Sequence, residues 1–213
     1  MDENDFIQDI IDALQEAIES PGQYSTPNPS MVTFYRNLKD RKLWLDDDIG
    51  QIVVEYAKLI LRWNEEDAGK PVDERKPIKI YIFSDGGNAD NMWMFLDMIA
   101  ASETPVWTIN VGKCWSAAAL IFMAGHKRIM MSSSTVLIHE GSGMIAGDAI
   151  KVMDQADSYR QKVKKMHGYI ISHTSIPAAM LTKKKNNDWE LDSGTCLKYG
   201  VCDSVANTMS DIM

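Results

Sequence analysis

The chain has 213 residues, 45% of them hydrophobic and 24% charged, a balance that suits one folded domain with a real core and excludes a chain disordered by composition. Its net charge of −8 gives no general attraction to phosphate backbones, so nucleic acid is not an expected partner. No apolar run reaches the roughly 20 residues that span a bilayer, and the acidic start Met1-Asp2-Glu3-Asn4-Asp5 is no secretory signal, so no membrane partner and a cytoplasmic location are expected.

In chain order, Ile7, Ile10, Ile11, Leu14 and Ile18 form one stripe and predict an amphipathic helix over 5–19, stopped by Pro21-Gly22. Residues 23–30, with Pro27 and Pro29, read as a linker, so residues 1–31 are an appendage to the domain. Lys42 to Leu45 is a short strand candidate. Asp46-Asp47-Asp48 then supplies an acidic start for a helix that runs from Ile49 to about Trp63. Ile78 to Phe83 predicts a strand that enters a turn at Ser84-Asp85-Gly86-Gly87, with a helix near 91–101. Val106 to Val111 predicts another strand. Gly112 is expected to turn the chain, and Ser116-Ala117-Ala118 to open a helix. Short strands follow at 128–131 and 135–138, a long polar helix over 147–173, and a short helix from Pro177. Lys183-Lys184-Lys185 reads as a solvated loop, and a last strand is expected over 201–205. Strands alternating with helices predict an α/β domain.

Three places carry potential chemistry. Gly86-Gly87 after a strand bares backbone N–H groups that can bind an oxyanion, although most double glycines only make turns. Ser116 stands at a helix start among small residues, where a developing negative charge is favoured; the plainer role there is a helix cap. Its surroundings are not the GxSxG elbow, because Gly112 lies four residues back and Ala118 replaces the second glycine. His139 ends an apolar strand beside Glu140-Gly141-Ser142-Gly143 and could act as a general base or simply be a surface histidine. Metal chemistry is not expected. His139-Glu140 begins like HExxH, but Gly143 stands where the second ligand belongs, and Cys114, Cys196 and Cys202 make neither a CxxC pair nor a disulfide framework.

Taken in order, strand-Gly-Gly, Gly-x-x-x-Ser-small-small and strand-His-loop form a more specific pattern. The sequence here resembles the proteolytic subunit of the ATP-dependent Clp protease family. The matching segments are Ser84 to Gly87, Gly112 to Ala117 and Ile138 to Gly141. Leu38 to Leu45 and Lys198 to Asp203 agree with the family's first strand and its closing segment. The resemblance covers about 32–206, which leaves 207–213 as a C-terminal tail. It implies a crotonase-like fold with repeated ββα units, in which the long helix is a protruding handle between two heptameric rings of a homo-oligomeric tetradecamer. It implies that Ser116 attacks a peptide carbonyl, that His139 moves the proton, and that the N–H groups of Gly87 and Ala117 hold the oxyanion. Substrates would be unfolded polypeptides fed by a ring ATPase, with no cofactor in the peptidase.

Four departures accompany the match. The family's catalytic aspartate falls on Lys184, which cannot accept a hydrogen bond; Asp188 is the expected substitute, while Asp192 is expected to cap a helix. Trp115 replaces a small residue and is expected to narrow the substrate groove. Asp85 replaces a proline and would oppose the oxyanion unless it points away. Glu140-Gly141 replaces Gln-Pro and is expected to loosen the loop after the histidine. Three functions remain open: an active serine peptidase of a divergent, phage- or mobile-element-type branch, a catalytically weak or inactive assembly subunit, or another crotonase-type enzyme acting on an acyl thioester.

Overall fold

The computed structural model describes Asp12 and residues 29–213, except 142, 143, 145, 185 and 186. Apart from Asp12, the predicted helix over 5–19 lies outside the described residues, as do positions 23–28 of the predicted linker. The chain divides into two units, residues 1–42 and 43–213. In the first, Pro29 and Ser30 are not linker: they open helix α1, Pro29–Lys39. Proline suits a first helical position because its missing N–H would have no partner there, and the Thr33 hydroxyl donates to the Pro29 carbonyl at 3.0 Å.

The second unit is built on a seven-stranded sheet. Its main path runs β1 (Lys42–Leu45), β2 (Ile78–Ser84), β3 (Val106–Trp115), β4 (Lys127–Met131) and β7 (Ser204–Ala206). Strand β5 (Thr135–Ile138) pairs with β3, and β6 (Trp189–Asp192) pairs with β5. The β2/β3, β3/β4, β3/β5 and β4/β7 pairs are parallel, whereas β5/β6 is antiparallel. Helix α2 (Ile52–Glu66) follows β1, and α3 (Ala89–Ala101) follows β2. The Asn88 side chain caps α3 by accepting from the N–H groups of Asp90 and Asn91, each at 2.9 Å. Helix α4 (Ala117–Ala124) is buried along its whole length. Each of its large apolar side chains contributes about 1.5–3 kcal/mol by leaving water, which anchors the start of the helix.

Gly112 does not turn the chain. β3 continues through it for ten residues, and the Phe83 ring occupies the space above Gly112, 2.6 Å from where a Cβ would stand, so the glycine makes room for the ring rather than a turn. The strand changes neighbour at this point, pairing with β4 from Trp107 to Asn110 and with β5 from Lys113 to Trp115. The buried Asn110 side chain bridges the changeover. It donates to the Thr135 carbonyl at 2.9 Å and accepts from the Gly112 N–H at 3.0 Å, so backbone groups left by the ladder are satisfied.

The long helix α5 (Ala149–His173) is capped by Asp148 and buries only Ile170 fully. After α6 (Ala178–Lys184), β6 is a strand that the sequence reading missed. Asp192 then caps α7 (Ser193–Lys198), accepting from the Thr195 N–H at 2.7 Å. The predicted last strand over 201–205 begins later, at Ser204; Val201 and Cys202 lie buried in the turn before it. Of residues 207–213, only Ile212 is buried, and its carbonyl accepts from the Tyr81 hydroxyl at 2.7 Å. The Arg128 guanidinium ties three segments together, donating to the carbonyls of His173 and Gly200 at 2.8 Å and pairing with Asp203. No described helix is long and apolar enough to cross a membrane.

Candidate active site

Ser116 stands directly after β3 and before α4. Its φ of 55° and ψ of −122° lie in a region that side chains rarely occupy. The serine holds the cap position of α4, yet its side chain makes no cap hydrogen bond. Instead Oγ lies 2.7 Å from His139 Nε2. The pairing follows from sheet register: Trp115 is opposite Leu137, and the Ser116 N–H donates to the Leu137 carbonyl at 2.9 Å. Residues 23 positions apart in sequence thus leave neighbouring strands at the same edge.

The glycines are required by this geometry. A Cβ on Gly86 (φ 107°) would sit 2.7 Å from Ser116 Cβ and from the Trp115 carbonyl oxygen. A Cβ on Gly87 (φ 147°) would sit 2.7 Å from Ile49 backbone atoms. The Ile49 N–H donates to the Gly86 carbonyl at 2.7 Å, and the Asn88 N–H donates to the Ile49 carbonyl at 2.8 Å. Among the described residues, neither the Gly87 N–H nor the Ala117 N–H has a protein acceptor. Ala117 is the first residue of α4, where N–H groups are unpaired and favour negative charge. Both residues line a cleft of about 380 Å³ with Ser116 and His139; Met92, Leu120, Val163 and Met166 add apolar walls.

The remaining predicted residues divide. Asp188 Oδ1 lies 3.5 Å from His139 Nδ1, with the Asp188 side chain 71% exposed. Lys184 ends α6 and shares a small void with His139, its Nζ 5.8 Å from the Trp189 ring. Asp192 is the α7 cap, as expected. Asp85 is held by Lys113, whose Nζ lies 2.6 Å from both carboxylate oxygens. Trp115 donates from Nε1 to Thr135 Oγ1 at 2.9 Å. Sequence reasoning missed Tyr159 and His167 on α5, which approach Glu140: the Tyr159 hydroxyl donates to its carbonyl at 2.7 Å, and His167 Nε2 lies 3.4 Å from its Oε1. Their spacing of eight residues, one face of a helix, was the available signal.

Among the described residues no group of three or more His, Cys, Asp or Glu is placed to hold a metal. The cysteines are unsuited to nucleophilic work, because the thiolate is the reactive form. Burial raises the Cys114 thiol well above its ordinary value, and pushes Cys196 up to about 12 and Cys202 up to about 11.

Comparison with known proteins agrees with this architecture. A family model described as Clp protease matches residues 32–209. The ATP-dependent Clp protease proteolytic subunit 2 of Treponema pallidum is 28% identical over 183 residues, covering 85% of this chain and 89% of that protein. The protein of the same name from Treponema denticola is 33% identical over 139 residues, covering 64% and 70%. Among solved structures, a mutant ClpP1 from Listeria monocytogenes aligns with a TM-score of 0.72 at 18% identity, over 85% of this chain and 99% of that one. The mixed α/β architecture with its mainly parallel sheet is the ClpP/crotonase-like fold, and with the family model spanning nearly all of the second unit, the chain belongs to the Clp protease family.

Proposed function

We propose that this chain is the subunit of a ring-forming serine endopeptidase that cleaves unfolded polypeptides fed by a partner ATPase, and that Ser116, His139 and Asp188 are its catalytic residues. The observation that carries the reading is the 2.7 Å contact between Ser116 Oγ and His139 Nε2 at the head of a cleft. Family membership supports a peptidase.

Nε2 accepts the Ser116 proton as Oγ attacks the peptide carbonyl, so Nδ1 carries the other proton and faces Asp188. The carbonyl oxygen becomes an oxyanion beside the N–H groups of Gly87 and Ala117, which have no other acceptor among the described residues. Collapse breaks the C–N bond, and the amine leaves with the proton from Nε2. Water then attacks the acyl-enzyme, His139 again taking a proton, and Ser116 is regenerated. Lys113 balances the charge of Asp85, so that carboxylate does not face the oxyanion uncompensated.

A weakly active or inactive assembly subunit is the second reading, favoured by the long, exposed Asp188 contact and by Lys184 at the family's acid position. Labelling with a fluorophosphonate probe separates the two. The expected result is stoichiometric labelling of the wild type and none of Ser116→Ala or His139→Ala. Absence of labelling in a folded, assembled wild type, with and without an ATPase partner, would leave the assembly role.

A further inference from the structure

We propose that Tyr159 and His167 of α5 clamp Glu140 and thereby position His139; the inference rests on the serine-peptidase reading. His139 is the first residue beyond the β5 ladder, whose last pairs are Trp115 with Leu137 and Ile138 with Trp189. The sheet therefore holds the backbone up to the base and not after it. Gly141 follows with φ 86° and offers no restraint of its own. Between the two stands Glu140, held at both of its ends. Its main-chain carbonyl accepts from the Tyr159 hydroxyl at 2.7 Å, and its carboxylate lies 3.4 Å from His167 Nε2.

The two side chains start eight residues apart on α5, about 12 Å at about 1.5 Å per residue, and converge on the two ends of residue 140, so together they resist its displacement. The Glu140 and His167 side chains are 27% and 23% exposed, so most of the surface of each is sheltered from bulk water. The Glu140-Gly141 sequence was expected to loosen this segment, and the clamp supplies the restraint that a proline would have given. Glu140, Tyr159 and His167 are positioning residues: their effect reaches the reaction through the orientation of the imidazole, where an error near 1 Å costs about 10²-fold in rate.

The test compares wild type with His167→Leu, His167→Gln and Tyr159→Phe, using a short fluorogenic peptide, fluorophosphonate labelling, and hydrogen–deuterium exchange of the peptide containing 138–141. His167→Leu is expected to lower kcat by up to about 10-fold with KM nearly unchanged, and to speed exchange at 138–141. His167→Gln, which keeps a donor for Glu140, is expected to restore both. Tyr159→Phe is expected to speed the same exchange. Unchanged kcat and exchange in the Leu and Phe variants would overturn the clamp. So would a loss in His167→Leu that glutamine fails to restore. If the wild type itself neither labels nor turns over, the peptidase reading fails, and the exchange measurement alone decides the clamp by the same comparison.

Discussion

A carboxylate that is 71% exposed competes with water for the imidazole N–H, and a contact of 3.5 Å is longer than an ordinary hydrogen bond. In the proposed mechanism Asp188 therefore orients His139 only weakly. Asp188→Ala is expected to reduce kcat/KM far less than the roughly 10⁴-fold lost when a buried triad aspartate is changed. Steady-state cleavage of a fluorogenic peptide measures this; a loss as large as that of His139→Ala would mean that the loop closes on the histidine during turnover. Ser116 and His139 were legible from their place after strands and their order along the chain. Asp188 was named only as a substitute for the family's acid, because the position depends on the path of a loop and on which side chain that path brings to Nδ1; it is the carboxylate that lies 3.5 Å from that nitrogen. Glu140 was visible only as a departure from the family, since its partners lie 19 and 27 residues away on another element.

Among the elements, β2, α3, β4 and β5 follow directly from apolar and β-branched runs bounded by turn residues. β3 did not end where its glycine suggested: that glycine leaves room for a neighbouring phenylalanine ring, which local pattern does not reveal. β6 escaped notice because four residues, Trp189-Glu190-Leu191-Asp192, give too short an alternation to stand out from a loop. The tie between β4, the end of α5 and the turn before β7 has its own pH signature. Burial pushes the Asp203 carboxyl up, but the hydrogen bonds and charge of Arg128 outweigh it and hold the group below its ordinary value. A depressed carboxylate stabilises the fold above its unfolded pKa, about 3.9, and loses that contribution as pH falls through the folded value. Thermal melting of wild type and Asp203→Asn is thus expected to differ at pH 7, with the gap shrinking below about pH 4. A gap that stays constant into acid would rule out the ion pair as its source.

At the scale of the whole molecule, the isolated chain leaves apolar side chains in water on the first turns of α5. Ile150 is 73% and Met153 70% exposed, and such residues commonly mark contact surfaces. Analytical ultracentrifugation is expected to show a ring or double ring of subunits; a stable monomer at micromolar concentration would count against the proposed assembly. The changeover within β3 bears on how such a protein can diversify. The spacing of the proposed nucleophile and base is written in the hydrogen-bond ladder between β3 and β5, whereas the apolar walls of the cleft come from α3, α4 and α5. On that proposal, substrate preference can drift through helix surfaces, one substitution at a time, while the serine–histidine pair is inherited intact.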